Sequence, residues 1–303
     1  MTESQTVEAD VFVEQMAPTV AALQGFTTAV DDIALRHANV PATDSQAMRE
    51  LAAEDDYRSQ SSWQNPITDT HMFGGATLRA ASDYVRTFAT AFTAERPPLY
   101  GHLTLARSAL ESSVVSAWLN QPDIAYVERI KRGLCELLYS ANEVMKLELR
   151  PDAAKELAQL EADATSFGWK PHFNRGKPEV NEAKRPSVGS GITELLVDNS
   201  QARIGGLLWS RLSAVTHVTW FGLQWAFTLP EGAPSGSSGF ATVPVGTDST
   251  KVATQAWCVL RALRAAASRR FTLMGWDDQE WQDAVGRAEA YEYILLQSAA
   301  PSS

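Results

Sequence analysis

Apolar side chains recur every three or four residues through nearly all long segments of this chain. That spacing marks one face of an α-helix, and it predicts helices along most of the sequence. A first helix is expected over 7–37, with a break near Pro18, because an interior proline removes a backbone donor and crowds the preceding turn. A second runs from Thr43-Asp44 to about Arg58. Residues 59–72 read as a loop, and 74–95 as a helix halted by Pro97-Pro98. Helices over 100–121, 123–149 and 151–168 follow, with Pro122-Asp123 and Pro151-Asp152 as start signals. Residues 170–191 are rich in Pro, Gly and charge and read as a long loop. Helices are expected at 192–199, 202–225, 249–274 and 278–298, the last opened by an Asp277/Glu280 capping box. Between them, 230–247 reads as a loop flanked by short strands at 225–229 and 240–245. The fold class expected is therefore all-α, a multi-helix bundle with at most one short β-hairpin near 225–245. A boundary near 96–99 divides it into an N-terminal accessory helical layer, 1–95, and a helical core domain, 96–303.

Two of these helices are apolar on almost every side and yet carry polar groups. Segment 202–225 holds Arg211, Ser213 and His217 among Leu, Val, Ala and Trp, which marks it as a central helix. Ser213 and His217 are four residues apart and share a face, whereas Arg211 points well away from His217. Segment 100–121 places Arg107, Glu111, Val114 and Trp118 on one stripe. Polar groups on buried helices must satisfy one another. The expectation is a partly buried Arg107–Glu111 pair, with Ser213 and His217 completing a polar core network.

The run Arg211-Leu-Ser-Ala-Val-Thr-His217 resembles the Arg-x(4–6)-His pattern of the HEPN superfamily, helical nucleotide-binding and ribonuclease-like proteins. The upstream Leu105-Ala-Arg107-Ser-Ala-Leu-Glu111 helix, paired with the Leu212-Ser213-x(3)-His217 helix, is similar to HEPN-like helical proteins of actinobacteria. The likeness covers about residues 100–225. It implies a HEPN-like core and a homodimer. In the active ribonucleases of that family, Arg and His meet across the dimer and support attack by an RNA 2′-hydroxyl without metal. By that resemblance, His217 would be the acid/base and Arg211 the phosphate stabiliser. Leu212 follows Arg211 where the family usually has a polar residue.

Composition narrows the partners. With 26 Lys and Arg against 36 Asp and Glu, the net charge of −10 disfavours general binding of a phosphate backbone. One local exception is Lys170, Arg175, Lys177, Lys184 and Arg185, a basic patch that could contact RNA. Gly205 to Leu229 is long enough to span a bilayer, but Arg211 and His217 fall inside it, so no membrane span is expected. Cys135 and Cys258 are far apart and read as buried, reduced thiols. His37, His71, His102, His172 and His217 are isolated from one another, so neither metal nor cofactor is implied. The acidic N-terminus has no signal pattern, and a cytoplasmic protein is expected. Three function classes follow. The leading one is a non-enzymatic or degenerate HEPN-like module. The second is a metal-independent ribonuclease of toxin or phage-defence type using Arg211 and His217. The third is a small-ligand-binding helical protein with Trp209, Trp220 and Trp225 around its cavity.

Overall fold

The computed structural model describes residues 3–58, 61–94, 98–148, 150–196, 201–219 and 249–299. Among them, eleven helices and one small sheet form an all-α bundle. In order the elements are α1 (Glu3–Arg36), α2 (Gln46–Leu51), α3 (Glu54–Arg58), α4 (Pro66–Thr90), α5 (Gly101–Leu119), α6 (Tyr126–Lys146) and α7 (Ala153–Ser166). Then come β1 (Pro171–Asn174), β2 (Lys177–Val180), β3 (Ala183–Lys184), α8 (Val188–Leu195), α9 (Gln201–Thr216), α10 (Ser249–Met274) and α11 (Gln279–Ala299).

Helices α5 and α10 pack against each other at the centre. Helix α4 lies along both, and α1 packs on α4, α10 and α11. One apolar cluster runs from Met16 on α1 to Leu295 on α11 and takes in both central helices. The boundary expected near 96–99 falls partly on residues 95–97, outside the described set. A smaller cluster, with Ile67, Leu134, Leu138, Trp169 and Val180, lies where α6 meets the sheet. No described helix is long and apolar enough to cross a membrane.

Several expectations are corrected. Helix α1 is continuous through Pro18. The carbonyl that Pro18 leaves without a donor belongs to Glu14, and both residues face solvent, so water can satisfy it. Helix α4 begins at Pro66, well inside the expected loop 59–72, because Pro at the first helical position loses no bond. The loop expected over 170–191 is an antiparallel three-stranded sheet followed by α8. Arg175 and Gly176 turn β1 into β2 with φ of 51° and 78°, the two-residue hairpin geometry that suits twisted strands. On β2, Pro178 and Val180 turn inward while Lys177 faces out, a period-2 pattern too short to register against the surrounding charge. The hairpin expected near 225–245 lies outside the described residues.

Candidate functional site

The densest buried polar cluster joins α2, α4, α5, α6 and α10. Glu50 on α2 is 4% exposed and accepts from Arg129 Nε at 2.6 Å and Nη2 at 3.1 Å. Arg129 also donates to the carbonyl of Leu119, the last residue of α5, and to that of Gln121 just beyond it. His71 Nε2 stands 3.0 Å from Glu50 Oε2, but neither ring nitrogen of His71 completes a hydrogen bond. Burial opposes charge on Glu50, yet His71 and Arg129 outweigh it and hold the carboxyl below its ordinary value. Burial, against the pull of Glu50, holds His71 below its own, with Arg270 and Arg129 adding to the effect, so the ring is neutral at neutral pH.

Arg270 on α10 is 4% exposed. Its Nη1 donates to the His71 carbonyl and to Asn120 Oδ1, both at 3.1 Å. Nη2 and Nε have no hydrogen-bond partner among the described residues, and no carboxylate pairs with this guanidinium. The Arg270 guanidinium lies 5.7 Å over the ring of Trp276, which also meets the stacked ring of His37 and the tilted ring of Phe271. Burial first, and repulsion from Arg129 second, push the Arg270 guanidinium down to about 10. It remains charged at neutral pH. The cluster thus holds two guanidiniums against one carboxylate, an excess of one buried positive charge.

Consecutive glycines make this arrangement possible. A side chain at Gly74 would collide with Asn120, whose Nδ2 donates to the Gly74 carbonyl at 2.9 Å. A Cβ at Gly75 would sit 3.3 Å from Arg270 Nη2. Beside Gly75 the surface opens into two adjoining hollows of about 660 and 410 Å³ between the end of α1, α4 and the end of α10. Arg270, Arg79, Asn39, Gly75 and Ala76 line both. Arg79 is exposed and has no ion-pair partner among the described residues. At the far end of the larger hollow, Arg86 pairs with Asp31 and lies 3.9 Å from Asp83.

The residues singled out from the sequence lie elsewhere. Helix α9 is peripheral rather than central: among its described side chains Leu208, Leu212 and Val215 form the buried stripe, and Leu207, Ser210 and Arg211 face out. It ends at Thr216 rather than at 225. The His217, Val218 and Thr219 amides bond back to Ser213, Val215 and Ala214, and Val218 takes φ of 53°. His217 is therefore exposed on the closing turn, not buried in a network with Arg107, Glu111 and Ser213. The polar set on α5 also takes another form. The Arg107 guanidinium lies 5.1 Å over the Trp209 ring, its Nε is buried without a partner, and no ion pair joins it to Glu111. An indole face takes the place of the carboxylate contact that the sequence pattern suggested for this guanidinium. Trp220 and Trp225 lie outside the described residues. Of the basic patch, Lys170, Arg175, Lys177 and Lys184 are exposed around the sheet, while Arg185 pairs with Glu136 at 2.7 Å. Cys135 and Cys258 are buried and free, and burial pushes the Cys135 thiol up to about 12.

Sequence reasoning missed Glu50, His71, Arg129 and Arg270. The signal that singled out Arg107 was present in Ala267-Ser-Arg-Arg270-Phe-Thr-Leu-Met274, where an arginine again lies within an apolar helix. A second signal was Gly74-Gly75 inside a helix, a pair costing about 1 kcal/mol each relative to alanine unless something must approach closely. No family model matches the chain, and no curated protein or solved structure matches it either.

Proposed function

We propose that this protein binds a small anionic ligand in the groove between α1, α4 and α10, with Arg270 at its base and Arg79 at its mouth. The observation that carries this reading is the buried Arg270 guanidinium. It has no carboxylate partner, and its Nη2 and Nε remain without protein acceptors beside open space at Gly75. A buried charge is costly unless paired, so a bound anion would relieve the excess left by two guanidiniums and one carboxylate. A guanidinium presents parallel donors that match a carboxylate or phosphate. The hollows fall in the size range of small-molecule sites.

Melting temperatures test the reading, since a ligand bound only by the folded state raises them. Inorganic phosphate or acetate is expected to raise the melting temperature above that in chloride at equal ionic strength, and Arg79→Gln to reduce the rise. Equal melting in all three anions would refute the proposal.

A second reading, a metal-independent ribonuclease acting through Arg211 and His217 in a homodimer, draws support from the exposure of both residues on α9 and its closing turn. RNA cleavage in chelator that is lost in folded Arg211→Ala and His217→Ala variants would decide for it.

A further inference from the structure

Resting on the anion-binding reading, we propose that the ligand is an amphiphile: one carboxylate or phosphate head group held by Arg270 and Arg79, and an aliphatic chain laid along the larger hollow. Three observations carry this.

Charge is available at one end only. Arg270 and Arg79 lack carboxylate partners, whereas Arg86 at the far end is paired with Asp31 and has Asp83 nearby. A polyanion spread along the groove would meet two aspartates there. A ligand with a single anionic terminus meets none.

The wall between the two ends is largely apolar. Val30, Ala34 and Leu35 of α1 and Leu78 and Ala80 of α4 line the hollow, with Phe271 and Trp276. Trp276 reaches the lining but offers no stacking face, since His37 lies parallel to its ring at 5.2 Å and the Arg270 guanidinium lies over it at 5.7 Å. Phe271 reaches it too, but its ring is buried against Trp276 at 5.7 Å and Trp281 at 4.6 Å. A planar ring or nucleobase would find no platform, whereas a chain needs only apolar walls.

The mouths carry apolar side chains in water. Leu35 is 70% exposed beside the larger hollow, and Met72 is 63% exposed beside the smaller. Side chains placed there would add apolar contact to a chain entering either hollow.

The experiment is calorimetric titration of the full chain with acetate, inorganic phosphate, hexanoate, octanoate, decanoate, decyl phosphate and decanol, all below micelle-forming concentrations. Affinity among the carboxylates is expected to rise about fourfold per added methylene, following the ~0.8 kcal/mol gained per buried CH₂, until the hollow is filled. Decanoate binding is expected to weaken at least tenfold in Arg79→Gln and in Arg270→Gln. Arg79 is exposed, so its variant keeps the test valid should Arg270→Gln fold poorly. Ala34→Phe should shorten the optimal chain while leaving hexanoate bound. Whether decanoate or decyl phosphate binds better distinguishes a carboxylate from a phosphate head. Acetate or phosphate binding as tightly as decanoate, with dependence on Arg79, would overturn the aliphatic chain and leave the anion reading standing. Decanol binding as tightly as decanoate, indifferent to Arg79, would overturn the anion reading. Absence of binding by every probe would overturn both.

Discussion

His102 lies on α5 at 1% exposure, with its ring against Phe92 at 5.3 Å and Phe88 at 6.4 Å. Its Nδ1–H donates to the Pro98 carbonyl at 2.8 Å. Burial pushes its pKa down from 6.5 to about 4, against the pull of that hydrogen bond. The sign of the pH effect follows. The folded pKa lies below the unfolded one, so between these values the unfolded chain binds the extra proton. The contribution to stability is whole above pH 6.5 and is lost as pH falls toward 4, amounting to roughly 3 kcal/mol. The buried His71 is shifted the same way and steepens the loss. Urea midpoints measured from pH 7 down to 4.5 should fall, and His102→Phe should flatten the slope. An identical slope in the variant would show that the ring titrates as it does in water. Such residues were visible in the sequence only as isolated histidines. Their neutral state depends on neighbours from distant segments.

At the scale of elements, helix ends here are closed by side chains from other helices. The Glu54 carboxylate of α3 accepts from the Ile67 and Thr68 amides at 2.8 and 2.9 Å, covering the free donors at the start of α4. At the other polarity, Arg129 and Arg132 of α6 donate to Leu119 and Trp118 carbonyls at the end of α5, both at 2.6 Å. Anions at N-termini and cations at C-termini complement the helix dipole. Glu54→Gln keeps the shape and removes the charge, so a loss of about 1–2 kcal/mol is expected in chemical denaturation. A loss within error would mean that the carboxylate contributes no more than an amide. These caps account for the misplaced start of α4. Sequence rules look for a cap on the residue just before a helix, and this one comes from thirteen positions away.

For the molecule as a whole, α1 supplies Leu23, Phe26, Val30 and Ile33 to the same cluster that contains Leu103 and Leu110 of α5 and Trp257 and Leu263 of α10. Each is at most 5% exposed. A fragment comprising 96–303 would lose α1 and α4 from the central pair and uncover that apolar surface. It is expected to lack the single cooperative melt of the full chain. A fragment that melts cooperatively near the full-length temperature would instead establish 96–303 as a domain that folds alone. The groove belongs to this scale too. Its floor comes from α10, its walls from α1 and α4, and its rim from the turn at Ala38 and Asn39, where φ is 50° and 59°.

By itself, the sequence determined the all-α class, most helix positions and the burial on all sides of α5, because the 3.6-residue period is a local property written into consecutive residues. It also marked Arg107 as a polar group within an apolar helix. Tertiary structure alone decided what such groups meet. Arg107 finds an indole rather than Glu111. Arg129 finds Glu50, seventy-nine positions away, and Arg270 finds Asn120, one hundred and fifty away. The physical reason is that periodicity reports which face a helix buries, whereas pairing and cavities depend on how helices cross. That crossing is set here by what α4 can admit at Gly74 and Gly75. The unmatched charge of Arg270, and the groove beside it, exist only once α1, α4 and α10 have come together.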